Sequence, residues 1–155
     1  MIAIQTQQTI MNAESATTER CTPTILCIDD NPDIVHAIEL HLRRFDVDVS
    51  KASYGMQGYA LALQQEPDLI VLDIGLPNGD GQMILEELRS HVVTAQIPVI
   101  ILSGMRDRNV QARMYHLGAN SYLTKPIHNG ALLAEMNRFV ELREVERIDC
   151  AGEER

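Results

Sequence analysis

No apolar run in this chain of 155 residues approaches the roughly 18 residues that a membrane-spanning helix needs, so no membrane insertion is expected. Cysteine is scarce. Cys21, Cys27 and Cys150 are odd in number and lack metal-ligand spacing, which excludes a disulfide framework and a thiolate metal site. Their pattern fits a reducing, cytoplasmic compartment, with Cys27 acting as a small hydrophobe inside an apolar run. Basic residues form no stripe, and Arg43-Arg44 is the one adjacent basic pair. With a formal charge of −9, direct nucleic-acid binding is not expected. The opening residues lack a basic start and a long apolar stretch, so they do not read as a signal peptide. There is no internal repeat and no low-complexity segment.

The apolar content is ordinary, at 45%. A chain of this size buries roughly 68–70% of its unfolded surface and needs no staple. Residues 1–21, polar and rich in Gln and Thr, are expected to be a flexible tail. One domain is expected over 22–145, and residues 146–155 are expected to be a C-terminal tail.

Four short apolar runs end on polar or charged residues. Ile25-Leu26-Cys27-Ile28 leads into Asp29-Asp30, and Leu69-Ile70-Val71-Leu72 leads into Asp73. Val99-Ile100-Ile101-Leu102 leads into Ser103, and Ser121-Tyr122-Leu123-Thr124 leads into Lys125-Pro126. Continuous runs rich in Ile and Val read as strands of a parallel sheet buried on both faces. Such sheets bind ligands outside the carboxyl ends of their strands. The spacing therefore predicts one pocket holding three carboxylates, a hydroxyl and an ammonium.

Strand and helix patterns alternate five times, which predicts an α/β fold with helices on both faces of the sheet. Strands are expected over 24–28, 47–51, 68–72, 98–102 and 121–123. The first helix is expected from Asn31-Pro32-Asp33 to Phe45, with Asn31 as its cap. The next three are expected near 55–65, 82–90 and 108–117, the last of these stopped by Gly118. The final helix is expected over about 129–145, on the stripe Leu132, Leu133, Met136, Phe139 and Val140. Glu141, Arg143, Glu144, Glu146 and Arg147 then read as its solvated end. His36 and His41 read as solvated helix histidines, and Met105 as a residue near the pocket mouth.

Asp29, Asp30 and Asp73 at one sheet end would repel each other, by roughly 4 kcal/mol for a pair about 4 Å apart at an effective dielectric of 20. All-oxygen ligands favour a hard cation such as Mg²⁺. An ammonium beside them suits phosphoryl transfer, in which positioning and charge neutralisation supply most of the catalysis.

These motifs carry a resemblance. Ile28-Asp29-Asp30, Leu72-Asp73-Ile74-Gly75-Leu76-Pro77, Leu102-Ser103-Gly104, Gly118-Ala119-Asn120-Ser121-Tyr122 and Lys125-Pro126 resemble the receiver domain of bacterial two-component response regulators, over about residues 23–143. The resemblance implies a flavodoxin-like five-stranded parallel sheet in order 2-1-3-4-5. It implies that Asp73 accepts the phosphoryl group as an acyl phosphate. Asp30 and Asp73 would bind Mg²⁺ directly, Asp29 mainly through water, and Gly75 through its backbone carbonyl. Lys125 would contact a phosphoryl oxygen and Ser103 would hydrogen-bond the group, with Tyr122 swinging inward as Ser103 moves. A cis Lys125-Pro126 peptide is also implied. Gly75 and Gly104 leave space beside the acceptor where other members carry side chains.

The resulting expectation is a stand-alone regulator, phosphorylated by a histidine kinase or histidine phosphotransfer protein. It would signal by a changed surface on its fourth helix, fifth strand and fifth helix, or by passing the group on in a phosphorelay. It would phosphorylate and dephosphorylate itself without being a turnover enzyme on small substrates, and a homodimer is left open. Two alternatives stand beside it. An aspartate-nucleophile phosphatase needs an acid two residues after Asp73, where Gly75 stands. A nucleotide- or flavin-binding module needs a phosphate-tolerant first turn, where Asp29 and Asp30 stand.

Overall fold

The computed structural model describes residues 22–77 and 81–146. The expected tail over 1–21, all but residue 146 of the expected tail over 146–155, and Cys21, Cys150 and Arg147 lie outside the described residues. The chain alternates β1 (Thr24–Ile28), α1 (Pro32–Leu42), β2 (Asp48–Ala52), α2 (Gly55–Gln65), β3 (Leu69–Asp73), α3 (Gly81–Ser90), β4 (Val99–Ser103), α4 (Arg108–His116), β5 (Ser121–Thr124) and α5 (Asn129–Asn137). All neighbouring strands are parallel, in the order β2-β1-β3-β4-β5 expected from the resemblance.

Alternation along each strand splits the apolar runs between two cores. Leu26, Ile28, Ile70 and Leu72 face Ala62 of α2, Leu85 of α3 and Met114 of α4. Ile25, Cys27, Leu69 and Val71 face the other way, onto Val35, Ile38 and Leu42 of α1 and Leu132 and Met136 of α5. Each such side chain contributes about 1.5–3 kcal/mol by leaving water. Among the described residues, no helix is long and apolar enough to cross a membrane.

Local chemistry sets the helix ends. The Asn31 side chain accepts from Asp33 N at 3.0 Å, and Pro32 opens α1 without needing a donor. The helix stops at Leu42 rather than Phe45, because the Phe45 N–H turns back to the Leu42 carbonyl. Glu66 ends α2 in the left-handed conformation, and Pro67 cannot continue it. Gly118 (φ +103) follows α4, and a Cβ there would press on Arg89.

Arg89 holds the end of the sheet opposite the strand carboxyl ends. Its guanidinium donates to the carbonyls of Gly118 at 2.9 Å and Ile97 at 2.8 Å, and to Asn120 Oδ1 at 3.0 Å. The same Asn120 oxygen accepts from Val99 N at 2.9 Å. One side chain thus ties α3 to the entries of both β4 and β5. Burial lowers the Arg89 pKa.

The main departure from expectation is α5, which ends at Asn137 rather than near Val145. Arg138 N and Phe139 N bond the carbonyls three residues back, and Leu142 N donates to Asn137 Oδ1 at 3.2 Å. The chain then runs antiparallel past the α1–β2 turn. Asp46 N donates to Arg143 O and Val145 N to Arg44 O, both at 2.8 Å. Glu141, Arg143 and Glu144 therefore lie in an extended strap, with Arg44 Nε 3.8 Å from Glu144 Oε1. The apolar spacing misleads because Val140 stays in the α1/α5 core after the helix has ended.

Two consequences are measurable. Arg89→Ala strands several part-buried carbonyls and should lower unfolding free energy in urea by about 2 kcal/mol. Cys27 is buried, and desolvation, with Glu39 and Asp29 adding to it, pushes its thiol from 9.0 up to about 12. The neutral thiol therefore favours the folded state. That stability is fully present below pH 9 and is lost as pH rises from 9 toward 12. Cys27→Ala should make the alkaline decline in stability shallower across that window, by about 1.4 kcal/mol per pH unit.

Candidate functional site

The ends of β1, β3 and β5 meet. Asp29 follows β1 directly and is 6% exposed. Its Oδ1 accepts from Asn31 N at 2.9 Å, which also sets the entry to α1. Asp73 closes β3 and is equally buried, and its Oδ1 accepts from Gly75 N at 2.8 Å. Lys125 follows β5, where its N–H donates to the Ser103 carbonyl, and joins Pro126 through a cis peptide. Its Nζ reaches Asp29 Oδ2 at 2.8 Å and Asp73 Oδ2 at 3.1 Å.

Burial alone would lower the Lys125 pKa. Hydrogen bonds to Asp29 and then Asp73 outweigh it, so the ammonium is held above the ordinary lysine value of 10.5 and stays charged at neutral pH. Asp30 is exposed, and oxygens of Asp29, Asp30 and Asp73 lie within 4.8 Å of one another. With all three acids ionised, three negative charges face one positive charge. This all-oxygen set suits a hard divalent cation. Asp30 has no ion pair or side-chain hydrogen bond among the described residues, so its carboxylate remains available to such an ion.

The surroundings keep the cluster accessible. A cleft of about 410 Å³ flanks it, lined by Asp29, Asp30, Asp33, His36, Glu39 and Lys51 among others. His36 is therefore on the cleft, solvent-exposed and 3.9 Å from Glu39, while His41 Nδ1 lies 2.6 Å from the Ala37 carbonyl. A Cβ on Gly75 would sit 3.3 Å from Asp73 Oδ1, whereas one on Gly104 would meet nothing within 4 Å. No acidic side chain stands two residues after Asp73, the place a phosphatase of the aspartate-nucleophile type requires.

Ser103 and Tyr122 converge on a single peptide unit. Ser103 is 1% exposed, and its Oγ accepts from Met105 N at 3.1 Å. The Tyr122 ring is buried, and its hydroxyl donates to the Met105 carbonyl at 2.8 Å. The structure thus holds Tyr122 inward and joins it to Ser103 through Met105.

Gly81 is a positioning residue that sequence reasoning missed. A Cβ there would overlap Ile74 Cα and the Asp73 carbonyl, so only glycine lets α3 begin against the end of β3. Its signal was the dense run of turn residues before the expected helix start at Gln82.

Residues 25–137 match the family described as the response regulator receiver domain. The chain is similar to the DNA-binding dual master transcriptional regulator RpaA of Synechocystis sp. They are 38% identical over 130 residues, covering 84% of this chain and 53% of RpaA. It spans about half the length of the curated relatives it matches. Among solved structures it is similar to a response regulator of Chloroflexus aurantiacus, with 27% identity, TM-score 0.72, and coverage of 77% of this chain and 98% of that one. It is also similar to the receiver domain of sensor histidine kinase PA1611 of Pseudomonas aeruginosa, solved with a magnesium ion coordinated in its active-site cleft. Here identity is 28% and TM-score 0.70, over 77% of this chain and 98% of that one. With the family match spanning most of the chain and the fold agreeing, this protein belongs to the receiver domain family of two-component response regulators.

Proposed function

We propose that Asp73 accepts a phosphoryl group from a phosphohistidine on a histidine kinase or histidine phosphotransfer protein. The observation that carries this reading is the Lys125 ammonium shared by Asp29 and Asp73, with Asp30 in the same cluster. An Asp73 carboxylate oxygen attacks phosphorus and forms the O–P bond. The N–P bond of the donor breaks, and its electron pair stays on the departing imidazole nitrogen. Lys125 then holds a phosphoryl oxygen as a point charge. Ser103 still has its hydroxyl hydrogen to donate, because its bond to Met105 uses only a lone pair.

The acidic cluster fits a magnesium ion, which Asp30 and Asp73 would hold directly, Asp29 mainly through water and Gly75 through its carbonyl, and such an ion would neutralise charge on the phosphoryl oxygens. The magnesium-bound PA1611 receiver supports this assignment. Hydrolysis of the acyl phosphate returns the carboxylate. Gly75, where a general acid would be needed, supports a self-phosphorylating and self-dephosphorylating receiver rather than a turnover enzyme on small substrates.

Output runs through Met105. Movement of Ser103 toward the phosphoryl group acts on the Met105 N–H, and the Met105 carbonyl holds Tyr122. The added charge thereby biases two conformations of the face formed by α4, β5 and α5, where a downstream protein binds.

With acetyl phosphate and magnesium, the intact protein should gain the mass of one phosphoryl group, and Asp73→Asn should gain none. Equal labelling of that variant would sink the assignment. Magnesium should raise the Tm of the wild type and leave that of Asp30→Asn unchanged; an equal rise in both would remove Asp30 from the ion site.

A further inference from the structure

Helices α1 and α5 pack on the same face of the sheet, yet a cleft of about 280 Å³ stays open between them. Its walls are Ile34 and Ala37 of α1 and Leu132, Leu133 and Met136 of α5. Ile34, Ala37 and His41 follow helical spacing and share one side of α1. Ala37 is the small member of that row, and its missing bulk leaves the gap. An apolar cavity of about 150 Å³ takes one benzene ring, so this cleft has room for two fused rings or a chain of similar bulk.

Three polar side chains reach the cleft, and none offers it a free positive charge. The Lys125 ammonium is taken up by Asp29 and Asp73, at 2.8 and 3.1 Å, which leaves its alkyl stem for the cleft. Asp33 stands in the first turn of α1, where a carboxylate suits the helix dipole. That carboxylate makes no hydrogen bond or ion pair among the described residues, because only the Asp33 N–H is engaged, by Asn31. His41 Nδ1 lies 2.6 Å from the Ala37 carbonyl and carries its proton there, so Nε2 of the neutral ring is left as an acceptor. Asp33 also borders the cleft that holds Asp29 and Asp30. An apolar body thus meets acceptors and negative charge.

We propose that the cleft between α1 and α5 binds a small apolar amine. Asp33 and His41 hold its protonated nitrogen, and its hydrocarbon body sits between the two helices. A carboxylate or phosphate head would meet Asp33 with Asp29 and Asp30 behind it and be repelled. A neutral molecule of equal size would gain the apolar contact alone. This binding is independent of the acceptor role of Asp73.

The test titrates the full chain with naphthylethylamine, naphthylethanol and naphthylacetate, which share one body and differ in the head. The chain has no tryptophan, so anisotropy of the naphthalene emission follows the bound probe. The amine should bind about tenfold more tightly than the alcohol, and the acid more weakly than either. Asp33→Asn should remove most of the advantage of the amine over the alcohol. Ala37→Phe, which fills the gap from an exposed position, should weaken amine and alcohol alike by about tenfold or more. Both variants should keep the wild-type circular dichroism. In NMR spectra of the wild type the amine should shift amides of α1 and α5 and leave those of α2 and α3 in place, which locates the site without any variant. Excess magnesium should not displace the amine; displacement would put the amine on the acidic cluster and overturn the proposal. Equal binding of amine and acid, amine binding that Ala37→Phe leaves unchanged, shifts centred on other helices, or no saturable binding of the amine would each overturn it as well.

Discussion

A single ammonium between two carboxylates organises the working end of this protein. Asp29 follows and Asp73 closes neighbouring central strands, so their charges are forced together by the sheet. Lys125 comes from the edge strand β5 and reaches across β4 to both. Each contact is worth up to about 4 kcal/mol at 4 Å in a half-polar setting, less the cost of taking the charges out of water. The ammonium neutralises only part of the cluster. The remaining negative charge would favour a divalent ion, and the buried, oriented Asp73 oxygens would be the acceptor under the proposed function.

Much of this was legible in the sequence for a simple reason. In a parallel sheet every strand points its carboxyl end the same way, so polar residues that terminate apolar runs must gather. Asp29, Asp30, Asp73, Ser103 and Lys125 were readable on that ground, and β1 and α2 fall within their expected limits. Strand limits shifted by one residue in β2, β3 and β4. Asp73 and Ser103 proved to be members of the ladder, paired with Leu102 and Thr124, rather than the first residues beyond it.

What stayed hidden depends on contacts distant in sequence. Arg89 looks like any base near a helix end until the carbonyls of Ile97 and Gly118 are seen around it. Gly81 is one glycine among several, and only the backbone of β3 shows why a side chain is excluded there. The end of α5 was obscured because burial and helicity are separable. Val140 remains in the core while the backbone finds partners in Arg44 and Asp46, and an apolar period reports the burial alone.

Met105 sits between Ser103 and Tyr122. Its N–H is held by Ser103 and its carbonyl by Tyr122. Arg106 follows it directly, and α4 begins two residues later. A typical coupling between sites is about 1–3 kcal/mol. One hydrogen bond contributes about 1 kcal/mol. Making or losing the Tyr122 bond in only one of two states is therefore of the right size to shift the population without melting the fold. Because Tyr122 belongs to the core that faces α2, α3 and α4, a change in that bond would be felt in the packing on that side of the sheet.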